Sequence, residues 1–364
     1  MSVNPADAPV WGALYGTDAM RAAIGERAML AHMLAVEAAL ARAQAGLGIV
    51  PAAAARAITA AAANVDRLDM AALAAATRVT GYPVVGLVKQ LGALAGPDAA
   101  RWTHWGATTQ DILDTALVLA LRDGFALIRA DLDRVIDGLA ALARAHRDTV
   151  MAGRTHLQHA LPVTFGYKAA VWLSPLPRLR ERLDTLLPAL LRAQFGGAVG
   201  TLASLGDQGP DVAAALAREL TLNEPDLPWH VSRDALAEAV SWCGLLCGAL
   251  SKLATDVMLL MQTEVAEAAE PHAPGRGGSS TMPQKRNPIA CEYVLAQARG
   301  VHALVPQMLA AMADDHERGT GPWQAEALAV PQAMLLTHGA LSHAATIAEG
   351  LTVDPARMRR NLDS

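Results

Sequence analysis

The sequence predicts an all-α protein in which long helices pack into a bundle. Apolar residues make up 52% of the 364 positions and aromatic residues only 4%, and small side chains allow helices to approach closely. Long proline-free stretches repeat apolar residues at alternating steps of four and three, the spacing of a buried helical stripe. No strand-like alternation stands out in the sequence. We expect a small N-terminal helical domain over residues 1–100, a central bundle over residues 101–350 and a short tail over residues 351–364.

The first hundred residues predict short helices. Prolines and glycines make residues 1–20 an irregular lead-in. A helix should occupy residues 21–47, because the glycines and the proline that follow are typical of a helix end. Residues 52–78 are rich in alanine and predict two short helices, and another helix should cover residues 84–94.

The first long helix should begin near Thr108 and Thr109, in a run that has no proline before Pro162. Its apolar residues follow a heptad-like rhythm, which indicates a bundle helix. This stripe consists of Leu121, Phe125, Ile128, Leu132, Val135, Leu139 and Leu142.

A second long helix follows the same rhythm, and Ser232 or Asp234 is expected to cap its start. A third helix should span residues 163–195. Proline removes a helical hydrogen bond and clashes with the preceding turn. The prolines expected to kink or interrupt this third helix are Pro175, Pro177 and Pro188.

A fourth helix should begin at Pro288, a favourable first-turn residue, and continue to about residue 314. The last should cover residues 326–350. Several of these helices carry apolar residues on more than one side, which a monomer covers poorly. Association into an oligomer is the simplest way to bury them.

Composition excludes several classes of function. The net charge is −5 and no basic stripe is present, so nucleic-acid binding has no support. The cysteines Cys243, Cys247 and Cys291 are too few for a disulfide framework, and we interpret the first two as small buried residues. Without a signal pattern or an uninterrupted apolar span, the expected location is the cytoplasm, with no membrane contact.

Three polar clusters interrupt the helical pattern, and the loop over residues 277–288 is the most informative. Two glycines make its first part pliable, and two serines, a lysine, an arginine and an asparagine follow. This set offers a hydroxyl that can exchange a proton, a fixed positive charge and several donors. It suits an acidic substrate that must lose a proton, although composition alone fits an ordinary polar loop.

The second cluster covers residues 104–111. Thr108, Thr109 and Gln110 stand at a predicted helix start, where free N–H groups attract a carboxylate. Plain helix capping by either threonine is the alternative.

The third cluster covers residues 153–164 and contains His156 and His159. A metal site is disfavoured because no carboxylate or cysteine lies at ligand spacing. We expect no metal and no cofactor, since the sequence also lacks a phosphate-binding glycine loop.

These strings resemble the signatures of the fumarase/aspartase superfamily. Residues 277–288 resemble G-S-S-x-M-P-x-K-x-N-P, and residues 153–162 resemble G-R-T-H-x-Q-x-A-x-P. The resemblance implies a homotetramer whose central helices form one large bundle and whose active sites are each built from three subunits.

The resemblance also implies the roles of single residues. Ser279 takes the general-base position, Lys285 and Asn287 hold a substrate carboxylate, and Thr155 and His156 contact a carboxylate and help to place a proton donor. The expected catalytic residues are Ser279, His156, His104 and Lys285. The expected substrate-binding residues are Thr108, Thr109, Gln110, Arg154, Thr155, Gln158, Ser280, Met282, Asn287 and Arg318.

Within the superfamily, two strings are most similar to the 3-carboxy-cis,cis-muconate cycloisomerases. Residues 104–111 resemble H-x-G-A-T-S-Q-D, with Thr109 in place of serine, and residues 316–326 resemble H-E-R-x-x-G-x-W-x-x-E. Arg318 is thereby implied as a partner for a third substrate carboxylate. A salt bridge to Glu317 or Asp315 is the alternative for this arginine.

The implied reaction is lactonisation of a small tricarboxylate, in which a proton is exchanged beside a carboxylate while a C–O bond forms or breaks. A sister lyase acting on adenylosuccinate or argininosuccinate is the alternative enzyme. A non-catalytic helical assembly is a third hypothesis. Residues 357–363 resemble the entry to the family's C-terminal domain, so we expect a naturally short or truncated form.

Overall fold

Helices account for most of the chain, and the predicted all-α class is confirmed. The computed structural model describes residues 4–271, 277–278, 281–282 and 285–363. Within these residues, strands occur only as two short antiparallel pairs.

The N-terminal part consists of short helices packed around one longer helix. The helix predicted over residues 21–47 is divided at Gly25, where the backbone is extended. A Cβ at this position would lie 2.5 Å from the carbonyl oxygen of Arg21, so only glycine fits. The helices of this part are α1 Gly12–Tyr15, α2 Asp18–Ile24, α3 Glu26–Gly46, α4 Ala52–Ala62, α5 Met70–Thr80, α6 Pro83–Ala95 and α7 Pro97–Ala100.

Helix α8 (Thr109–Ala145) is the first long helix, and its 37 residues make it about 55 Å long. A β-hairpin follows it, with strands β1 (Val150–Thr155) and β2 (Gln158–Thr164). The prediction of no strands is therefore wrong at this point. His156 and Leu157 form the turn with φ of 51° and 64°, the positive values that a type I′ turn requires. This turn lacks the glycine or asparagine that usually signals a hairpin, so the pattern did not reveal it.

The helix predicted over residues 163–195 is two helices, α9 (Phe165–Leu173) and α10 (Pro175–Leu190). The predicted interruption occurs at Pro175, which begins α10. Pro188 lies in the last turn of α10 and is tolerated there. A further helix, α11 (Gly209–Leu220), was not predicted.

Three long helices complete the bundle: α12 (Asp234–Leu260), α13 (Ile289–Ala311) and α14 (Pro322–Gly350). They pack against one another, and α14 also packs along α8. The predicted cap of α12 by Ser232 or Asp234 is wrong, because Arg233 occupies the cap position and makes no side-chain cap hydrogen bond. The Arg233 side chain is held instead in a buried ionic network.

The bundle core is apolar and continuous across α8, α9, α10 and the three long helices. By length and composition, α12 is the one helix among the described residues that could cross a membrane. Its core leucines Leu246, Leu250 and Leu253 are at most 2% exposed here, because the neighbouring helices cover them.

A second apolar cluster joins the N-terminal helices to α11 and the first turns of α8. At the other end of the bundle, strand β3 (Ala268–Ala269) pairs with β4 (Thr352–Val353). The last helix, α15 (Pro355–Asp363), packs against β1 of the hairpin. The tail is thus tied to the segment that carries the third polar cluster.

Candidate active site

The predicted site residues lie at two opposite ends of the bundle. We call the first the closed end; it surrounds the start of α8 and contains His104, Thr108, Thr109, Gln110 and Arg318. We call the second the open end; it consists of the hairpin over residues 150–164 and the described part of the loop over residues 277–288.

At the closed end, the buried carboxylate of Asp111 fixes the start of α8. It accepts hydrogen bonds from the backbone N–H groups of Thr108 (2.9 Å), Gly196 (2.9 Å) and Gly197 (3.0 Å). His230 Nε2 donates to the same carboxylate at 2.7 Å. Thr108 is therefore the helix cap, with Asp111 closing a capping box. Its role in substrate binding stays a prediction, as does that of Thr109 in the first turn.

Gln110 is fully buried and is hydrogen-bonded to Arg318. Its amide nitrogen donates to Asp114 (3.1 Å) and to the carbonyl of His230 (2.8 Å), and its oxygen accepts from the Arg318 guanidinium (3.1 Å). Arg318 also donates to the carbonyl of Ala198 at 2.7 Å. Among the described residues no carboxylate lies within ion-pair distance of Arg318, so the alternative of a salt bridge to Glu317 or Asp315 is not seen there. The guanidinium is held by neutral acceptors, which leaves its charge available for an anion.

Behind this pair lies a buried ionic network centred on Arg233. Its guanidinium donates two hydrogen bonds to Asp114, at 2.8 and 3.0 Å, and is also paired with Glu326. Trp323 donates to Asp114 at 3.2 Å, and Arg233 lies over the ring of Trp229. The network joins α8, α12 and α14, and it also clamps Gln110 through Asp114. The sequence analysis did not predict this network. An arginine directly before an apolar helix could have indicated a buried charge that needs acidic partners.

His104 lies in the turn before α8 and is oriented by Glu37, a buried glutamate of α3. Its Nδ1 donates to Glu37 at 2.6 Å, and its backbone N–H donates to the same carboxylate at 3.0 Å. Its backbone is left-handed, with φ of 59°. Burial by itself would lower the pKa of His104, but the hydrogen bond and the charge of Glu37 raise it. A protonated His104 is suited to hold an anion or to donate a proton.

At the open end, the hairpin is anchored at its base and exposed at its tip. Both terminal nitrogens of Arg154 donate to Glu267, at 2.8 and 2.6 Å, and Glu267 is fully buried. Asn361 of α15 donates to the same carboxylate at 2.8 Å. The Arg154 guanidinium therefore has a buried partner within the chain. Its predicted role in substrate binding stays a prediction. The tip residues Thr155, His156, Gln158 and His159 are exposed.

The loop over residues 277–288 is described in part. Ser279 and Ser280 lie outside the described residues. Lys285 and Asn287 line a cavity of about 800 Å³, together with Met282 and residues of the tail. The base of the loop is closed by a hydrogen bond from Asn287 N–H to the Gly277 carbonyl (2.9 Å).

A buried glutamate also fixes the helix that follows this loop. The Glu270 carboxylate accepts from the first N–H groups of α13, those of Ala290 (3.1 Å) and Cys291 (2.8 Å). The sequence prediction had assigned Glu270 no role. One signal could have revealed this role. Glu270 precedes a loop that leads directly into a helix, and the first N–H groups of a helix need acceptors.

The two ends are too far apart to form one site within a chain. Helix α12 begins beside the Arg233 network and ends beside the cavity that Lys285 lines. Its 27 residues correspond to about 40 Å. A small substrate cannot contact Arg318 and Lys285 of the same chain at once.

The cysteines and the metal-binding residue types do not form a second catalytic centre in the part of the chain that the structure describes. Cys243 and Cys247 are fully buried as predicted, and burial raises the pKa of both thiols to about 12. Such thiols are unreactive. Within the described ranges, His, Cys, Asp and Glu side chains form no group that could hold a metal.

Comparison with known proteins supplies the family. A family model described as lyase matches residues 14–302. The chain is 51% identical to a 3-carboxy-cis,cis-muconate cycloisomerase of Bradyrhizobium diazoefficiens, over 100% of the chain and 81% of that protein. It is 49% identical to the protein of the same name from Pseudomonas putida, over 97% of the chain and 84% of the relative.

The chain is also similar to a solved structure of an enzyme of this kind. The chain superimposes on the 3-carboxy-cis,cis-muconate lactonizing enzyme of Pseudomonas putida with a TM-score of 0.94 and 47% identity. The match covers 98% of this chain and 80% of that one. The chain therefore belongs to the lyase family of the fumarase/aspartase superfamily.

Proposed function

We propose that this enzyme is a 3-carboxy-cis,cis-muconate cycloisomerase that forms 4-carboxymuconolactone in aromatic catabolism. The observation that carries the proposal is the Arg318 guanidinium, which Gln110 and Ala198 hold in place and which has no carboxylate partner among the described residues. A tricarboxylate needs one cation more than a dicarboxylate, and a fixed guanidinium grips a carboxylate through two parallel hydrogen bonds. The cycloisomerase relatives at 51% and 49% identity support the same substrate.

The chemistry is an addition across a double bond. One carboxylate oxygen of the substrate attacks the neighbouring alkene carbon, so a C–O bond forms as the C=C π bond breaks. The displaced electron pair moves onto the carboxylate beside the next carbon, and a proton then adds at that carbon. The reverse reaction is a β-elimination, in which the same proton is removed.

The proposed site residues have different roles in this reaction. Lys285 and Asn287 stabilise the negative charge that collects on the carboxylate, while Arg318 fixes another carboxylate away from the reacting carbons. Ser279 exchanges the proton, as general acid in lactonisation and as general base in reverse. A serine hydroxyl performs this role only when nearby positive charge lowers its pKa and water is excluded. In this scheme His156 and His104, contributed by different copies of the chain, hold or relay protons around the substrate.

We further propose that each site is assembled from several copies of this chain in a cytoplasmic homotetramer. The support is the length of α12, about 40 Å, which separates the end that holds Arg318 from the end that holds Lys285 and which no small substrate spans. Exposed apolar side chains on the hairpin and α9 add to this support. They include Leu157 (79% exposed), Leu161 (83%) and Tyr167 (62%), an arrangement typical of an interface.

Ultraviolet absorbance tests the reaction. Purified protein should remove the absorbance of 3-carboxy-cis,cis-muconate, and a Ser279→Ala variant should not. If the wild type leaves the diene unchanged, the substrate assignment is wrong, and adenylosuccinate and argininosuccinate become the compounds to assay. Equal rates in both proteins would keep the substrate and remove Ser279 as the proton-exchanging group.

Mixing two inactive variants tests the shared site. His156→Ala and Ser279→Ala should each be inactive, and a mixture unfolded and refolded together should recover activity, because some sites then combine two intact contributions. Each variant refolded alone is the control. If the mixture stays inactive while mixed tetramers form, both residues act within one chain.

A further inference from the structure

A second cavity, of about 440 Å³, lies beneath the hairpin and is distinct from the cavity lined by Lys285. Strand β1, strand β2, α9 and α12 enclose it, and the two cavities share no lining residue. Its volume lies in the range of small-molecule sites. Its walls combine apolar side chains, among them Val163 and Trp172, with three cationic ones.

The three cations are Arg154, Lys168 and Lys252, and two of them are already paired. Arg154 is held by Glu267, as described above. Lys252 Nζ lies 2.8 Å from Asp256, whose carboxylate also accepts from Trp172 Nε1 at 2.7 Å.

Lys168 is the exception. It is half-buried, and within the described part of the chain its ammonium group has neither an ion pair nor a hydrogen bond. Burial lowers the pKa of Lys168, and repulsion from Lys252 and Arg154 adds to this effect despite the attraction of Asp256 and Glu267. A lysine that is desolvated beside two other cations is unfavourable unless an anion joins it. Perturbed groups of this kind concentrate at functional sites.

We propose that this cavity binds a small organic carboxylate, with the Lys168 ammonium as its principal cation. Asp256 and Glu267 attract the Lys168 ammonium but do not form an ion pair with it, and their oxygens accept hydrogen bonds from Lys252, Trp172, Arg154 and Asn361. The apolar walls favour a ligand with a short carbon skeleton over inorganic phosphate. Thr155 also lines the cavity, which places the site directly beneath the hairpin turn that carries His156.

The carboxylate has two possible sources: a carboxylate group of the substrate itself, or a separate small carboxylate that binds beside the active site. Isothermal titration with succinate tests the site without any turnover, so it is independent of the proposed function. The Lys168→Met variant keeps the apolar stem of the side chain and removes the ammonium group. We expect it to weaken one class of succinate sites by about tenfold or more, the loss typical of a charged hydrogen bond.

Matched variants locate the effect. Lys252→Met removes a cation that is already paired with Asp256, and should change succinate binding far less than Lys168→Met. Lys285→Met should leave the Lys168-dependent site intact, because Lys285 lines the other cavity. Succinate binding that is equal in wild type and Lys168→Met would overturn the proposal.

Stability separates a binding role from a structural one. If Lys168 serves a ligand, Lys168→Met should match or exceed the wild type in Tm without succinate, since an unpaired desolvated charge is removed. A lower Tm or a dissociated oligomer would show that Lys168 pairs with another copy of the chain, and would also overturn the proposal. The source of the bound carboxylate follows from the KM of Lys168→Met for 3-carboxy-cis,cis-muconate. A raised KM indicates that the cavity holds a carboxylate of the substrate, and an unchanged KM indicates a separate ligand. Both results support the site.

Discussion

The two ends of the bundle differ in how many of their candidate site residues have side-chain partners within the described part of the chain. At the closed end, Gln110 and Arg318 are bonded to each other and to buried groups behind them. At the open end, the hairpin residues around His156 and the loop residue Lys285 are exposed. Pre-organised groups stabilise a transition state without further rearrangement, so under the proposed function the closed end needs no rearrangement when the substrate binds. Under the same proposal, the residues of the open end form a site only together with other copies of the chain.

Breaking the network behind the closed end should have the largest effect. In an Arg233→Met variant, Asp114 and Glu326 remain buried without their cation, because both are at most 2% exposed. Loss of one partner from a buried ion pair costs about 3–5 kcal/mol in the free energy of unfolding. Urea unfolding followed by circular dichroism measures this loss. The exposed pair of Arg134 and Glu349 is the control, where Arg134→Met should cost less than about 1 kcal/mol. Similar losses in the two variants would show that the buried network of the closed end stabilises the fold no more than an exposed ion pair does.

Replacing the guanidinium of Arg318 should reduce activity rather than stability. Arg318→Lys keeps the charge but loses the fork geometry that Gln110 and Ala198 orient. We expect kcat/KM for 3-carboxy-cis,cis-muconate to fall by about 10- to 100-fold, the equivalent of one charged hydrogen bond. The thermal unfolding temperature should stay close to that of the wild type. Unchanged kcat/KM would remove Arg318 from the substrate site.

The pair of His104 and Glu37 gives the closed end a pH dependence. The folded-state pKa of His104 is raised, so its extra stability is fully present below the unfolded pKa and is lost as pH rises through the folded pKa. Glu37→Gln should therefore destabilise the protein by about 2 kcal/mol near pH 6, with a smaller loss near pH 9. Denaturant unfolding at the two pH values measures the difference. A loss that is equal at both values, or larger at pH 9, would contradict a charged His104.

The smallest expected effect tests the anchor of the open end. Asn361 of α15 donates to the Glu267 carboxylate that also holds Arg154 of the hairpin. Asn361→Ala should cost about 1 kcal/mol, the value of a typical hydrogen bond. Hydrogen exchange should accelerate in β1 and leave the start of α8 unchanged. Acceleration at both ends would mean that they unfold as one unit and that the anchor does not stabilise the open end separately.

Local patterns in the sequence determined the fold class and most helix positions. The heptad-like stripe predicted α8, and its residues Leu121, Leu132 and Leu139 are at most 1% exposed. Proline placed the division between α9 and α10, and glycine with proline placed most ends of the N-terminal helices. Such features depend on a few neighbouring residues, so a sequence read without context reveals them. The polar clusters were found in the same way, because their residues are adjacent in the chain.

Tertiary structure decided which of these residues meet. The partners of His104, Arg154 and Arg318 are Glu37, Glu267 and Gln110, which lie 67, 113 and 208 positions away in the chain. The hairpin was hidden for a similar reason, since its strands are held by cross-strand bonds and by α15 rather than by strong local preference. Periodicity carries information about neighbours on one helix face, but the pairing of distant buried charges follows only from how the helices pack. The separation of the closed and open ends, fixed by the length of α12, is likewise a property of the folded chain.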